Sequence, residues 1–336
     1  MRPSALPARI ITALFSVIVA PVGVGVLSVG GRSWQYAFMA YGGVDPAQLI
    51  GPILLQALGI VLLLAVVATG FWSSAGLLAA GILSVVPIVL ALFPVLLLNL
   101  YQSPLPMEWV DGIMYGIPLA LFPAFGAMGL VLLFSKRFPA RLNVALNVVG
   151  LFAAPLLLIA GVWLLTLGLA RGTVAAVQQF RFDFAIDAAA AVVAGVVLIV
   201  AGILTTRWSP FALLLPALAL LIVTPLSLTP ASGFSDLLFR TSTELSRSLL
   251  PLLLTGAGVA AALSYALFTV VLLRARRRAR GGSAPIGAYP PAYGHAQPQP
   301  YPQAQPYPPA QPYPPAQTYP PAQPYPPAQP YPQAPE

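Results

Sequence analysis

Apolar residues in this chain run in long stretches separated by short polar segments. A stretch needs about 20 residues to cross roughly 30 Å of hydrocarbon as a helix. Eight qualify, near 10–30, 49–69, 76–100, 113–135, 144–170, 184–206, 210–229 and 248–273. The pattern predicts an all-α polytopic membrane protein. Its start, with Arg2 and Arg9 ahead of an apolar run, has the layout of a signal peptide but no small-x-small cleavage site, so it reads as an uncleaved first span.

The stretches look written twice. Laid over Gly195 to Ile222 without a gap, Gly59 to Val86 matches at 9 of 28 positions, among them Thr69, Trp72 and Ser73 against Thr205, Trp208 and Ser209. Ala20-Pro21 recurs as Ala154-Pro155, and Lys136-Arg137 closes the first half as Arg274 to Arg280 closes the second. The expected organisation is a first four-helix repeat over 1–143, a second over 144–280 and a tail over 281–336. A four-helix unit returns the chain to its starting side, so the two repeats are expected to be parallel, related by an axis along the membrane normal.

Prolines at 21, 52, 87, 94, 118, 123, 155, 216 and 225 punctuate the spans, where each interior one removes a backbone donor and predicts a kink. Small residues such as Gly126 and Gly129, or Ala194 and Gly195, predict close helix approach in a compact bundle. Trp72 and Trp208 fall at span ends, the place of interfacial indoles. Gln56, Asn99 and Asn147 are expected to hydrogen-bond between helices.

Composition agrees, with 58% hydrophobic and 7% charged residues, a balance foreign to a soluble globule. The net charge of +8 is distributed by topology. With the amino terminus in the cytoplasm, 11 basic residues fall inside and five outside, while every acid but Glu336 falls on or near the outer side. That is the positive-inside arrangement, and eight spans put both termini in the cytoplasm. Arginine outnumbers lysine fifteen to one and alanine is abundant, which points to a GC-rich bacterial genome and a plasma (inner) membrane location. Arg274, Arg276, Arg277, Arg278 and Arg280, just past the last span, serve as a stop signal and are placed to contact anionic lipid headgroups. Their short juxtamembrane run does not fit nucleic-acid binding.

Catalytic groups are scarce. There is no cysteine, the one histidine is His295 outside the spans, and Lys136 is the only lysine, so catalysis is disfavoured and no metal or cofactor is expected. The carboxylates Asp183 and Asp187, four residues apart on one helix face, are the candidate proton or cation site at an outer vestibule. Dipole-favoured placement in a first helical turn, with Arg171, Arg181, Arg240 or Arg247 as a salt-bridge partner, is the plainer explanation. Glu108 and Asp111, flanking Trp109, open the fourth span in the same way. Between 230 and 247, Ser235 could cap a short amphipathic helix, or the segment could extend the eighth span.

The tail holds 20 of the 38 prolines and cannot bury a core, so it is expected to be disordered or extended. Tyr301, Tyr307, Tyr313, Tyr319, Tyr325 and Tyr331 recur every six residues. In a polyproline II helix that period sets them on one face about 19 Å apart. Such a ladder suits a multivalent protein partner or self-association. Two functions follow: a non-enzymatic bundle anchoring this tail for protein association or scaffolding, or a transporter or channel-like protein using Asp183 and Asp187.

Overall fold

The computed structural model describes residues 5–40, 46–137, 144–180, 182, 185–228, 240 and 242–281, and every element among them is a helix. The chain divides into Met1–Pro285 and Ile286–Glu336. The second unit, with the six repeated tyrosines, lies outside the described residues.

In the first half, α1 (Ala5–Ala40) precedes α2 (Pro46–Ala68), which tightens into a 3-10 turn at Thr69–Phe71. Three short helices follow, α3 (Ala75–Ile82), α4 (Val85–Leu92) and α5 (Pro94–Tyr101), then α6 (Met107–Met114) and α7 (Ile117–Arg137). In the second half, α8 (Val144–Leu169) passes through a π-helical turn at Ala170–Val174 into α9 (Ala175–Gln179). Next come α10 (Ile186–Leu204), with its own 3-10 turn at Thr205–Arg207, α11 (Leu214–Leu228), α12 (Thr243–Leu254) and α13 (Ala257–Gly281).

Seven helical segments among the described residues are long and apolar enough to cross a membrane: Leu6–Ala37, Ala47–Phe71, Ala75–Leu92, Ile117–Ser135, Ala145–Gln179, Ile186–Arg207 and Ala257–Arg278. The stretch expected as a seventh of eight spans contributes the shorter apolar helix Leu214–Ser227, which at 1.5 Å per residue covers about 21 Å. The stretch expected as one span over 76–100 is divided. The backbone leaves the helical region at Phe93 (φ −124°, ψ 78°), and Pro94 starts the next helix.

Four of the nine prolines expected to kink spans instead stand in the first turn of a helix. Pro94 is the first residue of α5, Pro118 the second of α7, and Pro87 and Pro216 the third of α4 and α11. In a first turn the missing N–H had no intrahelical partner to lose. Pro21, Pro52, Pro123, Pro155 and Pro225 lie inside helices, where kinks are expected.

The core centres on α7 and α13, which pack on each other and bury Phe125 and Phe268 completely. Of the most apolar window in Ile117–Ser135, 72% is buried, against 22% for Ala47–Phe71, so α7 is central and α2 peripheral. Glycine permits the closest approaches. A Cβ at Gly81 would collide with the Gly126 backbone, locking α3 against α7.

Contacts in the two halves correspond. A Cβ at Gly59 would sit 2.7 Å from Leu27 N, and one at Gly195 would sit 2.5 Å from Leu165 N. At Gly30 it would sit 2.6 Å from Gln56 N, and at Gly168 2.7 Å from Val192 N. These contacts join α1 to α2 and α8 to α10, with partners 136 or 138 residues apart along the chain. Ala20-Pro21 and Ala154-Pro155, 134 apart, stand a helical turn out of that register. Thr69 and Thr205 make equivalent turns. Each hydroxyl donates to the carbonyl three residues back (2.7 and 2.6 Å), and each carbonyl accepts from the following Trp and Ser amides.

Gly116 and Gly256 form a second matched pair. Their φ values are +82° and +83°, in the left-handed region that other residues enter only at a cost. Gly116 N–H donates to Ile113 O and Gly116 O accepts from Ala120; Gly256 N–H donates to Leu253 O and Gly256 O accepts from Ala260. Each break separates a short helix, α6 or α12, from the long buried helix that follows. The stretch expected as one span over 248–273 is thus divided at Gly256, and the described end of the segment before it, 243–247, belongs to the same helix as 248–254. Ser246 and Ser248 are buried on α12 while Glu244 and Arg247 are exposed; the expected cap Ser235 lies outside the described residues.

Candidate functional site

At its basic end the bundle sorts its arginines by task. Arg276 Nη2 donates 2.8 Å bonds to the carbonyls of Thr206 and Arg207, satisfying acceptors left free where the α10 turn ends. Arg274 stands 5.6 Å over the Phe71 ring, and Arg278 donates to Phe71 O at 3.3 Å. These two line a cavity of about 280 Å³ with Gly70, Phe71, Trp72 and Val271. Arg277 is exposed and is not part of the lining. The Arg280 side chain lies outside the described residues. Arg207 in turn stands 5.6 Å over Phe134.

The opposite end holds a polar cluster of which the sequence pattern singles out Asp111 alone. Arg32 lies more than three-quarters of the way along α1, about 30 Å from Thr12 at 1.5 Å per residue. Its Nε lies 3.2 Å from Asp111 Oδ2, an ion pair without the alignment of a hydrogen bond. The other carboxylate oxygen, Oδ1, accepts a 2.7 Å bond from the Tyr101 hydroxyl. The Arg32 guanidinium also stands 4.6 Å from the centre of the Tyr36 ring and reaches Gln35 Oε1 at 3.5 Å, while Gln35 Nε2 reaches Pro251 O. One network thereby ties α1, α5, α6 and α12 together. Tyr101 lies beyond the Ala75–Leu92 span; burial first, and then its bond to Asp111, pushes its hydroxyl well above the ordinary phenol range. It is a permanent donor at neutral pH.

Asp111 is therefore more than an acid favoured by a helix dipole: it is 8% exposed and has two partners. Trp109, between Glu108 and Asp111, lays its indole on Gly25 of α1, where a Cβ would collide with the ring. Trp72 and Trp208 are exposed, as indoles of an interfacial belt would be.

Of the two acidic candidates, the described one is not drawn into the bundle. Asp187 is exposed in the first turn of α10, and Asp183 lies outside the described residues. Arg171, one expected partner, is engaged with Glu244 at 2.8 Å, both about half exposed. Of the three amides expected to join helices, Gln56 does so, donating to Leu254 O at 3.3 Å. Asn99 is exposed, and Asn147 Oδ1 is buried without a hydrogen-bond donor among the described residues. No group of three or more His, Cys, Asp or Glu side chains with metal-binding geometry occurs among the described residues.

No protein-family model, curated protein or solved structure matches this chain.

Proposed function

We propose that this chain is a non-enzymatic integral membrane protein of a bacterial inner membrane, whose helical bundle anchors the Pro/Tyr-rich cytoplasmic tail for protein association or scaffolding. The observation that carries this reading is how the bundle is packed: α3 meets α7 backbone to backbone at Gly81 and Gly126, and α1 and α8 meet α2 and α10 equally closely at Gly59 and Gly195. Backbones in van der Waals contact hold a shape and leave little room for a solute between them. The Arg32–Asp111 charges, engaged with each other and with Tyr101, suit the same fixed framework.

In this reading the bundle is two parallel four-helix units, with the stretch 210–229 that contains α11 as the seventh of eight spans. The paired glycine contacts, paired threonine turns and paired left-handed glycines support that arrangement. Both termini are then cytoplasmic, with the basic end of the bundle facing in.

Proteins cross-linked in cells to the full chain and to a chain ending at Arg280, at matched membrane levels, test the scaffold role. Partners recovered only with the full chain are the expected outcome. Identical partner sets would remove the role from the tail.

A second reading, a transporter or channel-like protein, draws support from the helix breaks at Phe93, Gly116 and Gly256. It predicts a flux in proteoliposomes that falls with Asp187→Asn and ignores tail truncation.

A further inference from the structure

We propose that the basic end carries a specific site for one anionic phospholipid, with the headgroup phosphate between Arg274 and Arg278 and an acyl chain in the groove between α1 and α2. Two cavities share Trp72. One is the basic pocket of about 280 Å³, lined by the exposed residues Arg274 and Arg278 and by the Gly70–Trp72 turn, whose Phe71 carbonyl accepts from Arg278 at 3.3 Å. The other is an apolar groove of about 530 Å³ lined by Ile11, Phe15, Ala65, Ala68, Thr69 and Trp72. Together they offer positive charge at the membrane end and an apolar channel running from it along the helices. That is the charge and polarity order of an anionic lipid, with phosphate at the surface and chain below. Trp72, 72% exposed, stands where the glycerol region would lie, the depth indoles favour.

The arginine assignments make the site discrete. Arg276 is committed to the carbonyls of Thr206 and Arg207, and Arg277 has the same charge but does not line the pocket. A diffuse electrostatic field would weigh Arg274, Arg277 and Arg278 alike; a built site ranks Arg274 and Arg278 first. The proposal rests on the membrane placement of the bundle and is independent of what the tail binds.

The test is native mass spectrometry of the purified full-length chain with phosphatidylglycerol and with phosphatidylethanolamine of the same acyl chains. Variants are Arg274→Gln, Arg278→Gln, Arg277→Gln and Ala68→Trp, which fills the groove without changing charge; size-exclusion chromatography confirms that each is folded. The expected result is preferential retention of phosphatidylglycerol, weakened about fivefold by Arg274→Gln or Arg278→Gln, the order of one basic contact near a membrane surface. It is also weakened by Ala68→Trp and unchanged by Arg277→Gln. Equal loss with Arg277→Gln, full retention with Ala68→Trp, or displacement of the lipid by inorganic phosphate would each overturn the site. Tail partners lost on truncation, or kept, have no bearing on any of these outcomes.

Discussion

Asp111 makes two demands on its surroundings, a counter-charge and a hydrogen-bond donor, and Arg32 and Tyr101 meet them from two other helices. A hydrogen bond to a charged group contributes about 1.5–3 kcal/mol, so Tyr101→Phe should destabilise the bundle by that order while leaving the ion pair in place. Thermal unfolding in detergent measures it, and an unchanged midpoint would show that the Tyr101 bond carries no net weight. The raised Tyr101 pKa fixes a pH dependence. A group that holds its proton more tightly when folded adds stability below its unfolded pKa, about 10 for tyrosine, and loses it as pH rises further. The Tyr101 contribution should be flat from neutral pH to about 10 and decline above, and Tyr101→Phe should lessen that decline. Asp111 was legible in the sequence only as an acid near a span start, because nothing local distinguishes a dipole-favoured carboxylate from one awaiting an arginine 79 positions earlier. Arg32 was concealed in another way: α1 continues past the apolar stretch that ends near residue 30, so a residue counted with a loop lies on a helix.

At the scale of elements, hydropathy located the spanning stretches well because transfer from water is summed over about 20 residues and tolerates local error. It could not locate their breaks, which depend on single backbone conformations. Pro87, Pro94, Pro118 and Pro216 looked like kinks within spans, yet each occupies the first turn of a new helix. The left-handed residues Gly116 and Gly256 carried no distinguishing signal in a chain with 28 glycines. Their contacts yield an ordered prediction. Gly256→Ala should cost about 1–2 kcal/mol from the left-handed backbone alone, since the nearest atom to the new Cβ is Gln56 Oε1 at 3.3 Å. Gly116→Ala should cost more, by about 1–3 kcal/mol of overpacking, because its Cβ would run into Leu169. Chemical denaturation of both variants in detergent measures the order; equal costs would mean that Leu169 moves aside freely.

At the scale of the whole molecule, two contacts at the basic end say most about how the halves are arranged. Arg274 of α13 covers Phe71 at the end of α2, and Arg207 at the end of α10 covers Phe134 of α7, both at 5.6 Å. Phe71 and Arg207 stand 136 residues apart and Phe134 and Arg274 140 apart, close to the separations that relate the glycine contacts. Exchanging the halves therefore maps one contact onto the other with the cation and the ring swapped. Sequence comparison cannot register such a match, since identity is lost at all four positions while the geometry is kept. The absence of cysteine from the chain allows a direct test. Phe71→Cys with Arg274→Cys, and Phe134→Cys with Arg207→Cys, should both be joined by a short bis-maleimide in native membranes, with similar yields. All four single variants should react with a membrane-impermeant maleimide applied to inverted vesicles and resist it in intact cells, if this end faces the cytoplasm as the proposed orientation has it. If one pair joined and the other did not, the two halves would not be images of each other. Labelling from outside intact cells would leave the pairing untouched and reverse the orientation, putting the tail and its tyrosine ladder on the far side of the membrane from any cytoplasmic partner.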